Sequence, residues 1–133
     1  MKEITIITKN EIGALANICD IVGKAGINLH SVSANGFENN GIIKLVTSDP
    51  TSAEKLLSHK GYNLRTNEVV IAKINDQPGE LSKMIDRISR ERINLESVYL
   101  LNKTSGIVEI AIVPERNKDI EKIKDTIGKS YIA

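Results

Sequence analysis

The strongest constraint on this chain is an internal repeat that covers nearly its whole length. Residues 10–35 align without a gap on residues 76–101, and eight of the 26 aligned positions are identical. The identical positions include Gly13 with Gly79 and a shared Ile-Asn-Leu tripeptide. Because the displacement of 66 residues is about half of the 133-residue chain, the sequence predicts two copies of one small domain and little else.

The predicted domains are residues 1–66 and residues 67–133. The fraction of surface that a chain buries on folding rises with its length, so domains of this size are marginally stable by themselves. We therefore expect the two copies to pack against one another or against a second chain. A homodimer is the expected assembly, since two-fold pairing is the commonest arrangement for self-complementary surfaces.

Hydrophobic periodicity gives both copies the same order of elements. Ile4 and Ile6 alternate with polar residues as in a half-buried strand, and so do Val70, Ala72 and Ile74 in the second copy. A helix is predicted after each of these strands; on the first, the apolar residues spaced three and four apart are Ile12, Leu15, Ile18, Cys19 and Val22. With the later elements the order becomes β-α-β-β-α-β. The predicted fold class is therefore α+β, two tandem ferredoxin-like units in which an antiparallel sheet carries both helices on one face.

Turn-forming residues place a hairpin in the middle of each copy. They cluster at residues 35–41 and 102–106, after second strands that are predicted to begin at Ile27 and Ile93. The third strands that follow are apolar on both faces, which predicts that both faces of each sheet are covered.

The two copies are expected to differ at the fourth strand. In the first copy it is predicted at residues 62–65. In the second copy only residues 130–133 remain for it, so this edge strand is predicted to be short or absent.

Composition argues against nucleic-acid and membrane partners. The formal net charge is +1, from 18 Lys and Arg against 17 Asp and Glu, with no long block of either sign. RNA-binding modules with the same element order need stacking aromatics on the third strand, and residues 42–47 and 107–113 contain none. No apolar run is long enough to cross a bilayer, and no signal segment follows Met1. We expect a cytoplasmic protein.

The sequence contains no pattern typical of a catalytic, metal or cofactor site. Cys19 is the single cysteine, and His30 and His59 are the two histidines, too few for a closed structural metal site. Nucleophile, phosphate-binding and dinucleotide motifs are missing. We therefore expect a protein that is not an enzyme and needs no cofactor.

A family resemblance rests on two matching segments of each copy. The segments Asn10 to Leu15 and Asp76 to Leu81 place a polar residue before a Gly-x-Leu turn, and each is followed by a helix and an Ile-Asn-Leu strand start. This pattern resembles the ACT domain, twice and over the whole chain. The resemblance implies a stand-alone regulatory pair, an allosteric sensor that binds a small molecule, most typically an amino acid, where ACT domains pair.

The resemblance also implies which residues hold the ligand. In this family, the polar residue three places before the turn glycine and the asparagine at the start of the second strand often do so; they correspond to Asn10 and Asn28, and to Asp76 and Asn94. Asp76 replaces the usual asparagine, which suits an ammonium group and disfavours a carboxylate. The full predicted site comprises both turns and both strand starts: Asn10, Glu11, Ile12, Gly13, Ala14, Leu15, Asn28, Leu29, Asp76, Gln77, Pro78, Gly79, Glu80, Leu81, Asn94 and Leu95.

General chemistry agrees with this location. Glycine lets the backbone approach a ligand, amides at the start of a helix attract a carboxylate, and asparagine both donates and accepts hydrogen bonds. A purely structural explanation stays open, in which the glycines make the turns and the asparagines satisfy backbone groups. A second function also stays open: a subunit without a ligand that regulates a metabolic enzyme by docking on it.

Overall fold

A computed structural model describes residues 1–128 and Tyr131. The chain divides into two compact units, Lys2–Asn67 and the remainder from Glu68 onward together with Met1. The first unit contains β1 (Lys2–Lys9), α1 (Ala14–Lys24), β2 (Leu29–Phe37), β3 (Asn40–Thr47), α2 (Pro50–His59) and β4 (Asn63–Glu68). The second contains β5 (Val70–Asn75), α3 (Glu80–Arg90), β6 (Leu95–Thr104), β7 (Ile107–Pro114), a 3-10 turn (Asn117–Asp119) and α4 (Ile120–Ile127). The predicted fold class is confirmed.

Each unit has an antiparallel sheet with the third strand of the repeat next to the first. The strand order is β2-β3-β1-β4 in the first unit and β5-β7-β6 in the described part of the second. The registers of the two sheets correspond. The pair of Ile7 with Ile42 in the first sheet occupies the same place as the pair of Lys73 with Glu109 in the second. This correspondence allows the two copies to be compared position by position.

The helices of each unit cover one sheet face and enclose an aliphatic core. In the first unit the side chains of Ile6, Leu45, Ile18 and Leu57 are completely buried. Alternate residues of a strand point to the same face, so every second residue of β1 and β3 reaches this core. Residues at three- and four-residue spacing along the helices complete it.

Ile12 departs from the predicted helical face. Its side chain is fully exposed, at 105% of the reference accessibility, because α1 begins only at Ala14. Gly13, which follows Ile12, has a φ of +87°, a value that is not helical, so Ile12 lies outside the helix. The periodicity therefore placed Ile12 wrongly.

The second strands begin two residues later than predicted, at Leu29 for β2 and at Leu95 for β6.

The hairpin turns are shorter than predicted. β2 pairs with β3 as far as Phe37 opposite Asn40. Ser105 and Gly106, both with positive φ, make the two-residue turn between β6 and β7. Asn35, Gly36 and residues 102–104, which suggested longer loops, lie on strands β2 and β6, because composition alone does not distinguish an exposed strand from a turn.

Both faces of the second sheet are covered at β7, as its apolar sequence predicts. Ile112 lies in the core beneath the helices, and Ala111 and Val113 are completely buried on the opposite face. The predicted edge strand at residues 130–133 lies outside the described residues except for Tyr131. The Tyr131 ring packs against the core, and the Arg87 guanidinium lies 5.2 Å from its centroid.

Substitution of two neighbouring leucines on α2 tests which of their side chains stabilises the core. The Leu57→Ala substitution removes a completely buried side chain and should lower the free energy of unfolding by about 2–5 kcal/mol. Leu56→Ala, on the same helix but partly exposed, should cost clearly less. Urea denaturation of both variants measures the difference, and equal losses would contradict the assigned packing.

Candidate functional site

The two glycine turns have nearly identical backbones. Gly13 and Gly79 have φ values of +87° and +84°, and neither helix that follows has a side-chain cap. The Asn10 amide donates to the Asn39 carbonyl at 2.9 Å, and the Asp76 amide donates to the Gly106 carbonyl at the same distance. The sequence repeat thus corresponds to a repeated turn, with the strand, the hairpin end and the helix start brought together.

Conformation, not space, requires glycine in these turns. A Cβ atom on Gly13 or Gly79 would meet no atom within 4 Å, but L-residues avoid this left-handed region. Helices begin with amides that have no partner inside the helix, and in the described part of the chain no group bonds the amides of Leu15 and Ala16. The start of α1 therefore offers two donors to a ligand.

A small cavity of about 130 Å³ lies beside the first turn. It brings together four of the predicted site residues, Asn10, Glu11, Ala14 and Leu15. Ile12 points into solvent and does not line it. The remaining lining residues come from the end of β1 and the β2–β3 hairpin: Thr8, Lys9, Ala34, Asn35, Gly36, Gly41 and Ile43.

The Asn10 side chain lies directly on the backbone of Gly36. Its Nδ2 donates to the Glu38 carbonyl at 3.0 Å, and a Cβ on Gly36 would lie only 2.7 Å from that nitrogen. In the described residues the carboxamide makes no other hydrogen bond, so Oδ1 and the second N–H are available. Sequence reasoning missed Gly36 and treated it as part of a turn. A glycine inside a strand is the signal, since it often marks a close approach.

The second turn has a different chemistry at the same positions. Gly36 pairs with Gly41, and the corresponding pair in the second sheet is Lys103 with Val108. The Lys103 ammonium forms an ion pair with the Asp76 carboxylate at 2.8 Å. The ammonium group that Asp76 was predicted to accept is therefore already supplied by the chain itself.

The other predicted residues of the second turn are mostly exposed. Gln77, Pro78 and Gly79 are exposed, and the Leu81 side chain is 41% exposed. Glu80 is partly buried and forms a 3.4 Å ion pair with Lys83.

The predicted asparagines of the second strands lie at the opposite end of each unit. The Asn28 amide donates to Ser48 Oγ at 3.1 Å, and Asn94 Nδ2 donates to Glu115 Oε2 at 2.6 Å. Leu29 and Gly36 are seven positions apart on β2, a distance of roughly 23 Å along an extended strand. Within one unit, Asn28 and Leu29, like Asn94 and Leu95, are therefore remote from the turn. Their place in a ligand site stays a prediction.

A larger cleft of about 550 Å³ lies on the second unit and was not predicted. Of the predicted site residues only Glu80 lines it; the others are Lys73, Ile74, Asn75, Asn102, Thr104, Ile107, Glu109 and Tyr131. Periodicity marks Lys73, Asn75 and Glu109 as polar residues that alternate with apolar ones, and it does not reveal the strand register that brings them into one cleft.

The described residues include neither a cluster of metal-ligating side chains nor a helix that could cross a membrane. Within residues 1–128 and Tyr131, no group of three or more His, Cys, Asp or Glu side chains is arranged to hold a metal ion. Over the same residues, the helices are too short or too polar to span a bilayer.

The repeated turn and the order of elements match a known family. The model of the ACT domain pair matches residues 1–130. The chain belongs to this family. No curated protein sequence matches it.

Several solved structures share the fold of this chain. Protein BT0572 from Bacteroides thetaiotaomicron superposes with a TM-score of 0.82 at 23% identity, over 98% of this chain and 89% of that one. The ligand-free regulatory subunit of aspartate kinase from Thermus thermophilus gives 0.70 at 14% identity, over 95% and 89% of the two chains. The corresponding subunit from Thermus flavus gives 0.67 at 15% identity, over 97% and 91%. At these identities the likeness concerns the fold.

Two glycines of the ACT pair test the turn geometry. Gly13→Ala places a side chain in the left-handed region and should lower the free energy of unfolding by about 1–2 kcal/mol. Gly23→Ala, inside α1 and with open space around the new Cβ, should raise it by roughly 0.5–1 kcal/mol.

Urea denaturation of the two variants gives the sign of each effect. Stabilisation by both substitutions would contradict a strained turn at Gly13.

Proposed function

We propose that this ACT pair is a non-catalytic regulatory module whose first unit binds a small amino acid at its glycine turn. The observation that carries the proposal is the cavity beside Asn10, where an open helix start and an incompletely bonded carboxamide adjoin the same space. A zwitterion needs donors for its carboxylate and an acceptor for its ammonium group, and this turn supplies both.

Each part of the cavity has a role in this proposal. The amides of Leu15 and Ala16 at the start of α1 receive the α-carboxylate, because a helix N-terminus favours negative charge. The Asn10 Oδ1 atom accepts from the ammonium group. Ala14 and Ile43 leave room for a small apolar or hydroxylated side chain.

Binding would act by shifting a conformational equilibrium. A ligand transmits a signal only when it binds one state more tightly than another, and a typical allosteric coupling is about 1–3 kcal/mol. The two Thermus structures are regulatory subunits of aspartate kinase, and their likeness to this chain supports a regulatory role with a metabolic enzyme as partner. The expectation of a cytoplasmic location stays a prediction.

A homodimer forms part of the proposal. β2 is the edge strand of its sheet, and its nine residues include no Lys, Arg, Asp, Glu or Pro. Exposed edge strands usually carry such residues, which prevent pairing with another chain. Pairing of this edge with a second copy would satisfy its open backbone groups.

A ligand-independent docking module is the second candidate. Two large apolar side chains near the first turn are exposed, Ile12 completely and Phe37 at 70%. Side chains of this kind are common in protein interfaces. This candidate requires an enzyme partner and no amino-acid ligand.

Thermal denaturation with each of the twenty amino acids separates the two candidates. A ligand at 100 times its dissociation constant should stabilise the wild-type chain by about 2.7 kcal/mol, seen as a rise in Tm. The Asn10→Ala substitution should abolish that rise, and so should Gly36→Ala, whose Cβ displaces the Asn10 side chain.

The matched control is Asn17→Ala, an exposed asparagine on α1 that does not line the cavity. Its Tm should respond to the ligand like that of the wild type. No rise with any amino acid would refute the sensor and favour docking. If every amino acid that raises the Tm of the wild type raises that of Asn10→Ala equally, the proposed site is refuted.

A further inference from the structure

The two units differ at one cross-strand pair that faces away from the helices. Ile7 pairs with Ile42 in the first sheet, whereas Lys73 pairs with Glu109 at the same positions of the second. The same fold is thus built with two aliphatic residues in one copy and with two opposite charges in the other. Folding does not require charges at this place.

The charged pair lies in the 550 Å³ cleft of the second unit. Ala72 and Ile74 belong to the core, so the alternating residues Lys73 and Asn75 face the other side of β5. The cleft falls within the range of about 300–1,000 Å³ that is typical of small-molecule sites, whereas the cavity at the first turn is smaller. The second unit therefore offers the larger volume.

Both charges in the cleft are available to a ligand. Within residues 1–128 and Tyr131, neither the Lys73 ammonium nor the Glu109 carboxylate has an ion-pair partner within 4.0 Å, although their strands are directly paired. By contrast, the ion pair of Lys103 with Asp76, at 2.8 Å, occupies the turn of this unit. Near the second glycine turn, Lys73 and Glu109 in the cleft are therefore available to a ligand, whereas the charges of Lys103 and Asp76 at the turn are paired with each other.

Neutral groups of the cleft add hydrogen bonds and an apolar wall. Asn102 Oδ1 already accepts from the Lys103 amide at 2.8 Å, so the Asn102 side-chain N–H groups are left for a ligand. Asn75 adds a second amide. Ile107, on the same sheet face as Glu109, supplies apolar surface.

We propose that this cleft is a second ligand site, which binds a zwitterionic amino acid with its carboxylate at Lys73 and its ammonium group at Glu109. The amides of Asn75 and Asn102 bond a polar side chain, and the volume admits a larger amino acid than the first turn does. The site lies wholly in the second unit. It does not depend on the function proposed for Asn10.

Titrations followed in ¹⁵N–¹H correlation spectra test this site with the twenty amino acids as probes. At least one of them should shift the amide signals of Asn75, Asn102 and Glu109 in the wild-type chain. Lys73→Met and Glu109→Gln should each weaken its binding at least tenfold, since each removes a charged hydrogen bond. The N-acetyl and carboxamide derivatives of that amino acid should bind as weakly, because each lacks one of the two charges.

The controls are Lys124→Met and Glu121→Gln, a lysine and a glutamate that pair on α4 outside the cleft. They should bind the amino acid like the wild type, and unchanged spectra elsewhere should show that all variants are folded. Unmoved cleft amides with every amino acid, or equal affinity in Lys73→Met and Lys124→Met, would overturn the proposal. Asn10→Ala should leave the cleft titration unchanged, so the two sites succeed or fail separately.

Discussion

A glycine in the left-handed region joins the first strand to the first helix in each unit, and the geometry of the candidate site depends on it. At φ values of +87° and +84°, Gly13 and Gly79 turn the chain so sharply that the helix starts without a side-chain cap. In the same turn, the polar residue that follows the strand, Asn10 or Asp76, lies next to the end of the neighbouring hairpin. Open amides and a polar side chain therefore meet at one end of the sheet, away from the aliphatic core that stabilises the unit.

The two copies of the repeat share the backbone of this turn but differ in the side chains around it. At the first turn, a neutral Asn10 lies on the bare backbone of Gly36 and retains free hydrogen-bonding groups. At the second turn, Lys103 pairs with Asp76. These exchanges lie at the surface and leave the two cores alike, so they change the charge and hydrogen bonding at each turn more than they change how the unit folds. A pair of domains can in this way come to recognise two different molecules.

The sequence predicted the parts of the structure that depend on periodicity and failed where contacts between distant residues decide. The element order and the two buried faces of β7 follow from apolar spacing alone. Ile12 was misplaced because the apolar pattern continues through a turn that a single φ angle controls. Of the candidate site, the turns could be predicted from the repeated glycine. The contact of Asn10 with Gly36, like the Lys103 ion pair, depends on the β2–β3 or β6–β7 register, which one sequence does not reveal.

A crystal structure of the Lys73→Met variant, which lacks the lysine of the proposed cleft site, grown with the amino acid that raises its Tm most, tests the central claim most directly. That claim is that the first glycine turn is a ligand site built from a helix start and Asn10. The account predicts density in the cavity beside Asn10, with the ligand carboxylate within hydrogen-bond distance of the Leu15 and Ala16 amides and its ammonium group on Asn10 Oδ1. An empty cavity with the amino acid bound elsewhere, or Asn10 still bonded to Glu38 alone, would contradict it.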